Sequence, residues 1–128
     1  MSYSLVRADQ LPYEPRDAYP GDQRTVAALS ELLGFKHSRA NVWHLPPGNK
    51  GKRHRDLVQE ETFVVLEGTL TMYLGEPPER VELPRGSVVL VQPGTALQLR
   101  NEGDEDVTVY AYGAPPERGQ GEFLDDAF

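Results

Sequence analysis

Hydrophobic residues along most of the chain occur in short runs separated by turn-forming residues. The clearest runs are ETFVVL (61–66), TLTMYL (69–74), SVVLV (87–91), ALQLR (96–100) and VTVYAY (107–112). Glycine, proline, asparagine and aspartate fill the segments between them, as is typical of turns. Short strands at intervals of roughly 8–12 residues predict an all-β fold, an antiparallel sandwich or barrel rather than repeated βαβ units.

Two further strands and one tight hairpin complete the predicted core of the fold. RANVWHL (39–45) and RVEL (80–83) have strand-like composition and are bounded by proline- and glycine-containing segments. The dipeptide Glu67–Gly68 joins two of the runs and predicts a hairpin turn. We expect a barrel core over residues 39–113.

The two ends of the chain have weaker patterns. YSLV (3–6) predicts an edge strand that precedes a proline-rich, irregular arm. RTVAALSELLG (24–34) predicts a strand followed by a short helical turn that ends at Gly34, where glycine adopts the left-handed conformation at little cost. The arm and edge strand occupy residues 1–38 of the single expected domain. Residues 114–128 form a tail without hydrophobic periodicity, which we expect to pack loosely or to be partly mobile.

Composition limits the classes of partner and of chemistry. The 128 residues fit one domain, and the net charge of −7 argues against binding to nucleic acid or to an anionic membrane surface. The chain has no cysteine, which excludes disulfides, thiolate metal sites and cysteine nucleophiles. We find neither a signal-peptide pattern nor an apolar stretch near the roughly 20 residues that span a bilayer, so we expect a cytoplasmic protein.

The stretch HRDLVQEETFVVLEG (54–68) contains the strongest candidate site. Residues two apart in a strand point to the same side, so His54 and Asp56 face one way, and Glu61 at the start of the next strand can join them. Imidazole with two carboxylates suits Fe(II), Mn(II), Ni(II) or Zn(II). The alternative is a solvated loop whose charged side chains pair loosely.

The spacing of this stretch resembles the first sequence motif of the cupins. That motif has a glycine, a His-x-His group, a glutamate and a second glycine at fixed intervals. The matching positions in this chain are Gly48, His54, Asp56, Glu61 and Gly68.

A second stretch resembles the second cupin motif, and together the two cover residues 40–112. Its matching positions are Gly86, Pro93, Gly94, Leu97 and Asn101. The resemblance implies a small jelly-roll barrel with a metal site in its open mouth, and homodimers formed through the sheets.

The chain departs from the cupin pattern at two positions that usually carry metal-binding histidines. The resemblance implies a metal site made of His54, Asp56 and Glu61, with Leu97 where a third imidazole is usual. Because leucine cannot bind a metal, we expect an impaired site with at most a weakly bound divalent transition metal. His44 either supplies the missing nitrogen or is a hydrogen-bonded histidine on a sheet face.

Strand alternation predicts the lining of a pocket in the barrel. If Glu61 points inward, so do Phe63 and Val65, and if Leu97 points inward, so does Leu99. With His44, these residues would form an apolar ligand-binding pocket with a small polar patch. The alternative is that the same side chains fill the barrel and leave no cavity. Without a metal, the proximity of Asp56 and Glu61 would raise the pKa of one of them, or His54 would hold both in a hydrogen-bonded cluster. Such a group would serve as an acid/base pair or remain inert.

Three functions are compatible with this sequence. The first, which we favour, is a cupin that binds a small organic molecule, with an impaired metal site. The second is a metal-dependent enzyme of dioxygenase, isomerase or decarboxylase type that acts on a small oxygenated substrate. The third is a dimer-forming accessory protein. The fold does not select among them, so whether the protein is an enzyme stays open.

Overall fold

The computed structural model describes residues 2–116 and 121–128, and its strands form two antiparallel sheets around a shared hydrophobic core. The strands are β1 (Glu14–Pro15), β2 (Thr25–Ala27), β3 (Arg39–Leu45), β4 (His54–Asp56), β5 (Glu60–Glu67), β6 (Thr69–Leu74), β7 (Glu79–Pro84), β8 (Val88–Val91), β9 (Leu97–Arg100), β10 (Val107–Ala114) and β11 (Gly121–Phe123). The arrangement confirms the predicted all-β jelly-roll barrel.

The described strands are divided between a six-stranded and a five-stranded sheet. Within the described residues, one sheet has the order β1-β2-β3-β10-β5-β8 and the other β11-β4-β9-β6-β7. Strands β3 and β5 both pair with β10, and β5 also pairs with β8. All seven strands predicted between residues 39 and 112 are present, with ends that differ by at most two residues.

The segment 24–34 folds as predicted into a short strand and one turn of helix. Strand β2 is followed by helix α1 (Leu29–Leu33), which Gly34 ends in the left-handed conformation at φ 77°. The Gly34 amide donates to the Ser30 carbonyl over 3.1 Å, so glycine satisfies one of the last free carbonyls of the helix.

Two expectations for the chain ends are wrong. YSLV (3–6) forms no strand, because β1 occupies the sheet edge beside β2, while Val6 packs on a small cluster around Ala27 and Val42. The tail does not pack loosely over its described residues 121–128. Strand β11 pairs with β4. No helix in the described part of the chain is both long and apolar enough to cross a membrane.

Side chains from both sheets meet in one main core cluster. Its fully or nearly fully buried members come from six strands, and they are Leu45, Phe63, Val65, Leu70, Met72, Val91, Leu97, Leu99, Val107 and Val109. The cluster fills the interior between the two sheets, and β4 and the start of β5 lie at its open end, where a cavity begins.

Buried Asn101 anchors the loops at the opposite end of the barrel. Its amide nitrogen donates to the carbonyls of Leu45 and Glu105 over 2.8 and 2.7 Å, and its backbone carbonyl accepts from the Gly48 amide over 2.9 Å. Gly68 has φ 75°, and a Cβ there would clash with the Asp106 carbonyl oxygen. These motif residues therefore have structural roles.

Candidate metal centre and adjoining cavity

His54, Asp56 and Glu61 converge at the open end of the barrel, as the sequence predicted. The His54 Nε2 atom lies 3.5 Å from Glu61 Oε1 and 3.9 Å from Asp56 Oδ2. One potential ligand atom from each residue lies within 4.8 Å of the others. The Gly94 amide donates to the Asp56 carbonyl over 2.6 Å, so the second motif holds the strand that carries the first.

The backbone sets the orientation of the His54 ring. His54 Nδ1 lies 3.1 Å from the Lys52 carbonyl oxygen, which can only accept a hydrogen bond. The proton of the neutral ring is therefore on Nδ1, and the lone pair of Nε2 faces the two carboxylates. A ring held in this way by its second nitrogen is the usual arrangement of a histidine that binds a metal.

Burial and mutual contact shift the pKa values of all three groups. Burial and the neighbouring Glu61 carboxylate raise the pKa of Asp56 to about 6. Burial alone would lower the pKa of His54, but contact with Glu61 and the Lys52 carbonyl outweighs it and raises that pKa. Burial works to raise the pKa of Glu61, yet His54 and Asp56 lower it overall. Without a metal, His54 and Asp56 therefore hold their protons to a higher pH than the free side chains do.

The three residues fit a divalent cation. Asp56 Oδ2 is buried and has no hydrogen-bond partner among the described residues, so its lone pairs are free to bind an ion. Two carboxylates and one imidazole form a donor set in which oxygen predominates, and this set suits Mn²⁺, Fe²⁺ or Zn²⁺. Three protein ligands leave positions for water or for an atom of a bound molecule.

Neither Leu97 nor His44 supplies a further donor. Leu97 is directly opposite His54 on β9 and is buried in the core. His44 points away from the barrel interior, and its Nε2 lies 3.3 Å from Asp106 Oδ2. The hypothesis that His44 replaces the missing imidazole is therefore wrong, because its strand neighbours Trp43 and Leu45 are the ones that line the cavity.

A cavity of about 340 Å³ opens beside the three residues. Phe63 and Leu99 lie on its wall, as alternation predicted. Val65 and Leu97 do not, because both lie deeper in the packed core, and His44 faces outward. The wall consists of Arg16, Ala18, Arg24, Arg39, Ala40, Asn41, Trp43, Leu45, Gly51, Lys52, His54, Asp56, Glu61, Phe63, Leu99, Ala111, Tyr112, Gly113, Gly121 and Phe123.

Several wall residues were not predicted from the sequence. Alternation along β3 was sufficient to find Arg39 and Trp43, since both share a face with Leu45. Arg24 and Phe123 gave no such signal, because each reaches the cavity from a part of the chain outside the main strands. Tertiary folding alone brings them to the site.

A sequence model of the cupin domain matches residues 41–112, which is more than half of the chain. The chain belongs to the cupin family. The cupin metal position is therefore the one at which His54, Asp56 and Glu61 meet, with Leu97 beside it. This cupin keeps the glutamate and one histidine of the family pattern in place.

Two curated relatives and one solved structure illustrate the range of similar proteins. Auxin-binding protein 1 of Arabidopsis thaliana is 35% identical over 104 residues, or 74% of this chain and 52% of the relative. An uncharacterized protein of Methanocaldococcus jannaschii is 29% identical over 83 residues, or 65% of this chain and 64% of the relative. The chain thus spans between half and two thirds of these relatives' lengths.

The solved structure shares the fold. It is a crystal structure described as a sugar phosphate isomerase of the cupin superfamily from Silicibacter pomeroyi. It is 21% identical, has a TM-score of 0.79, and the match covers 96% of this chain and 83% of the other.

Proposed function

We propose that this cupin binds a small organic molecule in the cavity at the mouth of the barrel, next to a three-residue centre that holds a divalent metal weakly. The observation that carries the proposal is that one cavity of about 340 Å³ has His54, Asp56 and Glu61 on its wall together with aromatic and aliphatic side chains. An apolar pocket with a few convergent polar groups is the usual form of a small-molecule site.

The relative with 35% identity supports the class of ligand. Its name describes a protein that binds auxin, which is a small organic molecule. Only the class is carried over to this chain, because the match covers 52% of that relative. The size of the cavity agrees with a ligand of this class.

The centre would contribute both binding and polarisation. His54 Nε2 and one oxygen each from Asp56 and Glu61 would hold the ion. A bound divalent ion acts as a Lewis acid toward an oxygen atom of a neighbouring molecule. Weak binding follows from the ligand set, since two of the three imidazoles that the cupin pattern usually supplies are absent and imidazole favours late transition metals.

Metal titration of a matched pair of variants tests the centre. We expect chelator-treated protein to bind Mn²⁺ or Zn²⁺ at one ion per chain in calorimetry, and Glu61→Gln to abolish this binding. Glu60→Gln is the control, because Glu60 is the adjacent residue on β5 but is exposed on the other face of the strand. Equal binding by both variants would show that the ion binds elsewhere.

A metal-dependent enzyme is the second candidate, and one observation favours it. Three protein ligands leave coordination positions that face the cavity, where a substrate oxygen would meet the ion. The structure from Silicibacter pomeroyi, described as a sugar phosphate isomerase, has the same fold, so its reaction is one example of the chemistry that the fold accommodates.

Turnover that depends on the centre would separate the enzyme from the binding module. For the enzyme, metal-loaded protein should convert one member of a panel of small hydroxy- and keto-acids and sugar phosphates, and Glu61→Gln should remove this turnover while Glu60→Gln retains it. For the binding module, a panel member should bind without conversion in the presence of the metal.

A further inference from the structure

Four cationic side chains line the cavity of a chain whose net charge is −7. They are Arg16, Arg24, Arg39 and Lys52. These four cations outnumber the two carboxylates of the same lining, Asp56 and Glu61, so the cavity is an electropositive part of an acidic protein. Such a wall attracts and orients anions.

Arg24 is the most firmly held of the four. Its Nε and Nη2 atoms donate to the two carboxylate oxygens of Asp22 over 2.9 and 3.1 Å. Its guanidinium carbon lies 5.1 Å from the Trp43 ring and 5.4 Å from the Tyr19 ring. The side chain is only 7% exposed. A long, flexible residue is thus fixed in one geometry.

Asp22 is itself fixed by the backbone. Its side chain is fully buried and accepts from the amides of Ala18 and Arg24 over 2.9 and 3.0 Å. Burial opposes its charge, but the contacts with Arg24 and these amides lower the pKa of Asp22 to about 2. Asp22 is therefore ionised throughout the physiological range, and it holds Arg24 rather than binding a ligand.

The guanidinium group of Arg24 has one nitrogen that remains available to a ligand. Nε and Nη2 are used by Asp22, whereas Nη1 donates to no atom of the described residues and is not enclosed by protein. Gly51 lies next to it, and a Cβ at that position would approach Nη1 to 3.4 Å. A charged donor therefore faces a space that the glycine leaves open.

Arg16 and Arg39 bring unpaired charge to the same wall. No carboxylate of the described residues lies within 4.0 Å of either side chain as a salt-bridge partner. The Arg16 amide donates to the Arg24 carbonyl over 3.1 Å, so the two arginines are neighbours across the β1–β2 pair. Arg39 lines the same cavity as Asp56 and Glu61, so its charge lies beside the candidate metal centre.

We propose that the ligand of this cavity is an organic oxyanion, a carboxylate or a phosphate ester. Its acidic group binds Arg24 Nη1 with support from Arg16 and Arg39, and its apolar body contacts Trp43 and Phe63. This inference rests on the proposed binding of a small molecule in the cavity and adds the charge of that molecule. Hydrogen bonds between a guanidinium and an oxyanion are among the stronger ones in proteins.

The fluorescence of Trp43 can report ligand binding in the cavity. It is the only tryptophan of the chain, and it lines the cavity. We would titrate benzoate, phenyl phosphate and the uncharged benzamide into chelator-treated and Mn²⁺-loaded protein and follow Trp43 fluorescence and calorimetric heat. We expect benzoate or phenyl phosphate to bind about tenfold more tightly than benzamide in both preparations. The anion that binds more tightly shows whether the cavity prefers a carboxylate or a phosphate ester.

Titrations of the chelator-treated protein test the oxyanion inference independently of any bound metal. If benzamide binds as tightly as both anions, the cavity binds organic molecules and the oxyanion inference is wrong. If no probe binds in either preparation, the proposed small-molecule site is wrong as well.

Paired variants assign the effect to the arginines. Asp22→Asn/Arg24→Gln removes both members of the buried ion pair together and leaves no unpaired charge. We expect it to lower oxyanion affinity about tenfold without changing benzamide affinity. Arg39→Gln should lower oxyanion affinity severalfold, and Arg85→Gln, at an exposed turn outside the cavity, should leave it unchanged. Circular dichroism checks folding.

If the double variant does not fold, the test uses Arg39→Gln and Arg16→Gln. Both side chains are exposed, so we expect these two variants to fold. Wild-type oxyanion affinity in every folded cavity variant would overturn the proposal. Loss of oxyanion affinity in Arg85→Gln to the same extent as in Arg39→Gln would also overturn it, since the effect would then depend on net charge alone.

Discussion

His54 and Leu97 lie directly opposite one another on the adjacent strands β4 and β9. Opposed residues of an antiparallel pair project to the same face of the sheet, so position 97 is next to the imidazole of the metal centre. Leu97 is 1% exposed and belongs to the main core cluster. Leu97 thus belongs to the hydrophobic core and supplies no metal-binding atom at a position where cupins usually have a histidine.

Leu97→His should restore a second imidazole to the centre. We expect Zn²⁺ affinity to increase by at least about tenfold, because imidazole is a preferred ligand of this ion. The price is lost packing, so the free energy of unfolding of the metal-free variant should fall by about 2–4 kcal/mol. Calorimetric titration and urea denaturation measure the two effects.

Leu97→Gln is the control for this substitution, since it also places a polar group in the core but supplies no imidazole. If Leu97→Gln binds Zn²⁺ as tightly as Leu97→His, position 97 does not reach the ion.

Asp56→Asn should stabilise the metal-free protein at high pH. The pKa of Asp56 is about 6 in the folded state, above the ordinary value of 3.8. Its contribution to stability is therefore present below pH 4 and is lost as the pH rises through 6. Asparagine stays neutral, so the variant should gain about 1 kcal/mol at pH 8, allowing for solvent screening, and nothing at pH 4.

Urea denaturation at the two pH values, with chelator present, measures this difference. A variant less stable than the wild type at pH 8 would contradict the prediction. Metal binding should be weakened in the same variant, because asparagine supplies a neutral ligand.

Metal affinity should fall as the pH is lowered. Contact with Glu61 and the Lys52 carbonyl raises the pKa of His54, and burial raises that of Asp56 to about 6. An ion must displace these protons, so acid competes with it. We expect Mn²⁺ affinity to be at least about tenfold weaker at pH 5.5 than at pH 7.5, as measured by calorimetry. A flat profile would mean that the ion does not bind these groups.

Gly68→Ala should be more damaging than Gly86→Ala. Both glycines have positive φ, 75° and 89°, so alanine costs about 1–2 kcal/mol of backbone strain at either position. A Cβ at Gly68 would also clash with the Asp106 carbonyl oxygen, whereas nothing lies within 4 Å of one at Gly86. Gly68→Ala should therefore lose at least about 2 kcal/mol more stability in urea denaturation. Equal losses would contradict this packing.

Homodimerisation stays a prediction, and the outer face of the six-stranded sheet is where we place it. Leu66, Val88 and Leu90 are 44%, 63% and 51% exposed, and the last two lie on the edge strand β8. We expect light scattering to give a dimer mass for the wild type and a monomer mass for Leu90→Glu. Leu57→Glu, at a comparably exposed leucine outside the strands, should remain a dimer.

Much of the fold follows from local sequence. The strands between residues 39 and 112 were predictable because each is a short apolar run bounded by turn residues, and this pattern reports burial directly. Gly34 and Gly68 were recognisable because only their backbone freedom fits the turns they make. The grouping of His54, Asp56 and Glu61 followed from strand alternation and from the spacing of the motif.

The sequence by itself determined the barrel, the absence of cysteine chemistry and the three residues of the centre. Only the tertiary structure decided that His44 faces outward, that the tail adds a strand beside β4, and that Arg24 reaches the cavity wall. Each of these depends on pairing between segments far apart in the chain. Alternation along one strand states which residues share a face, but it does not state which distant segment covers that face.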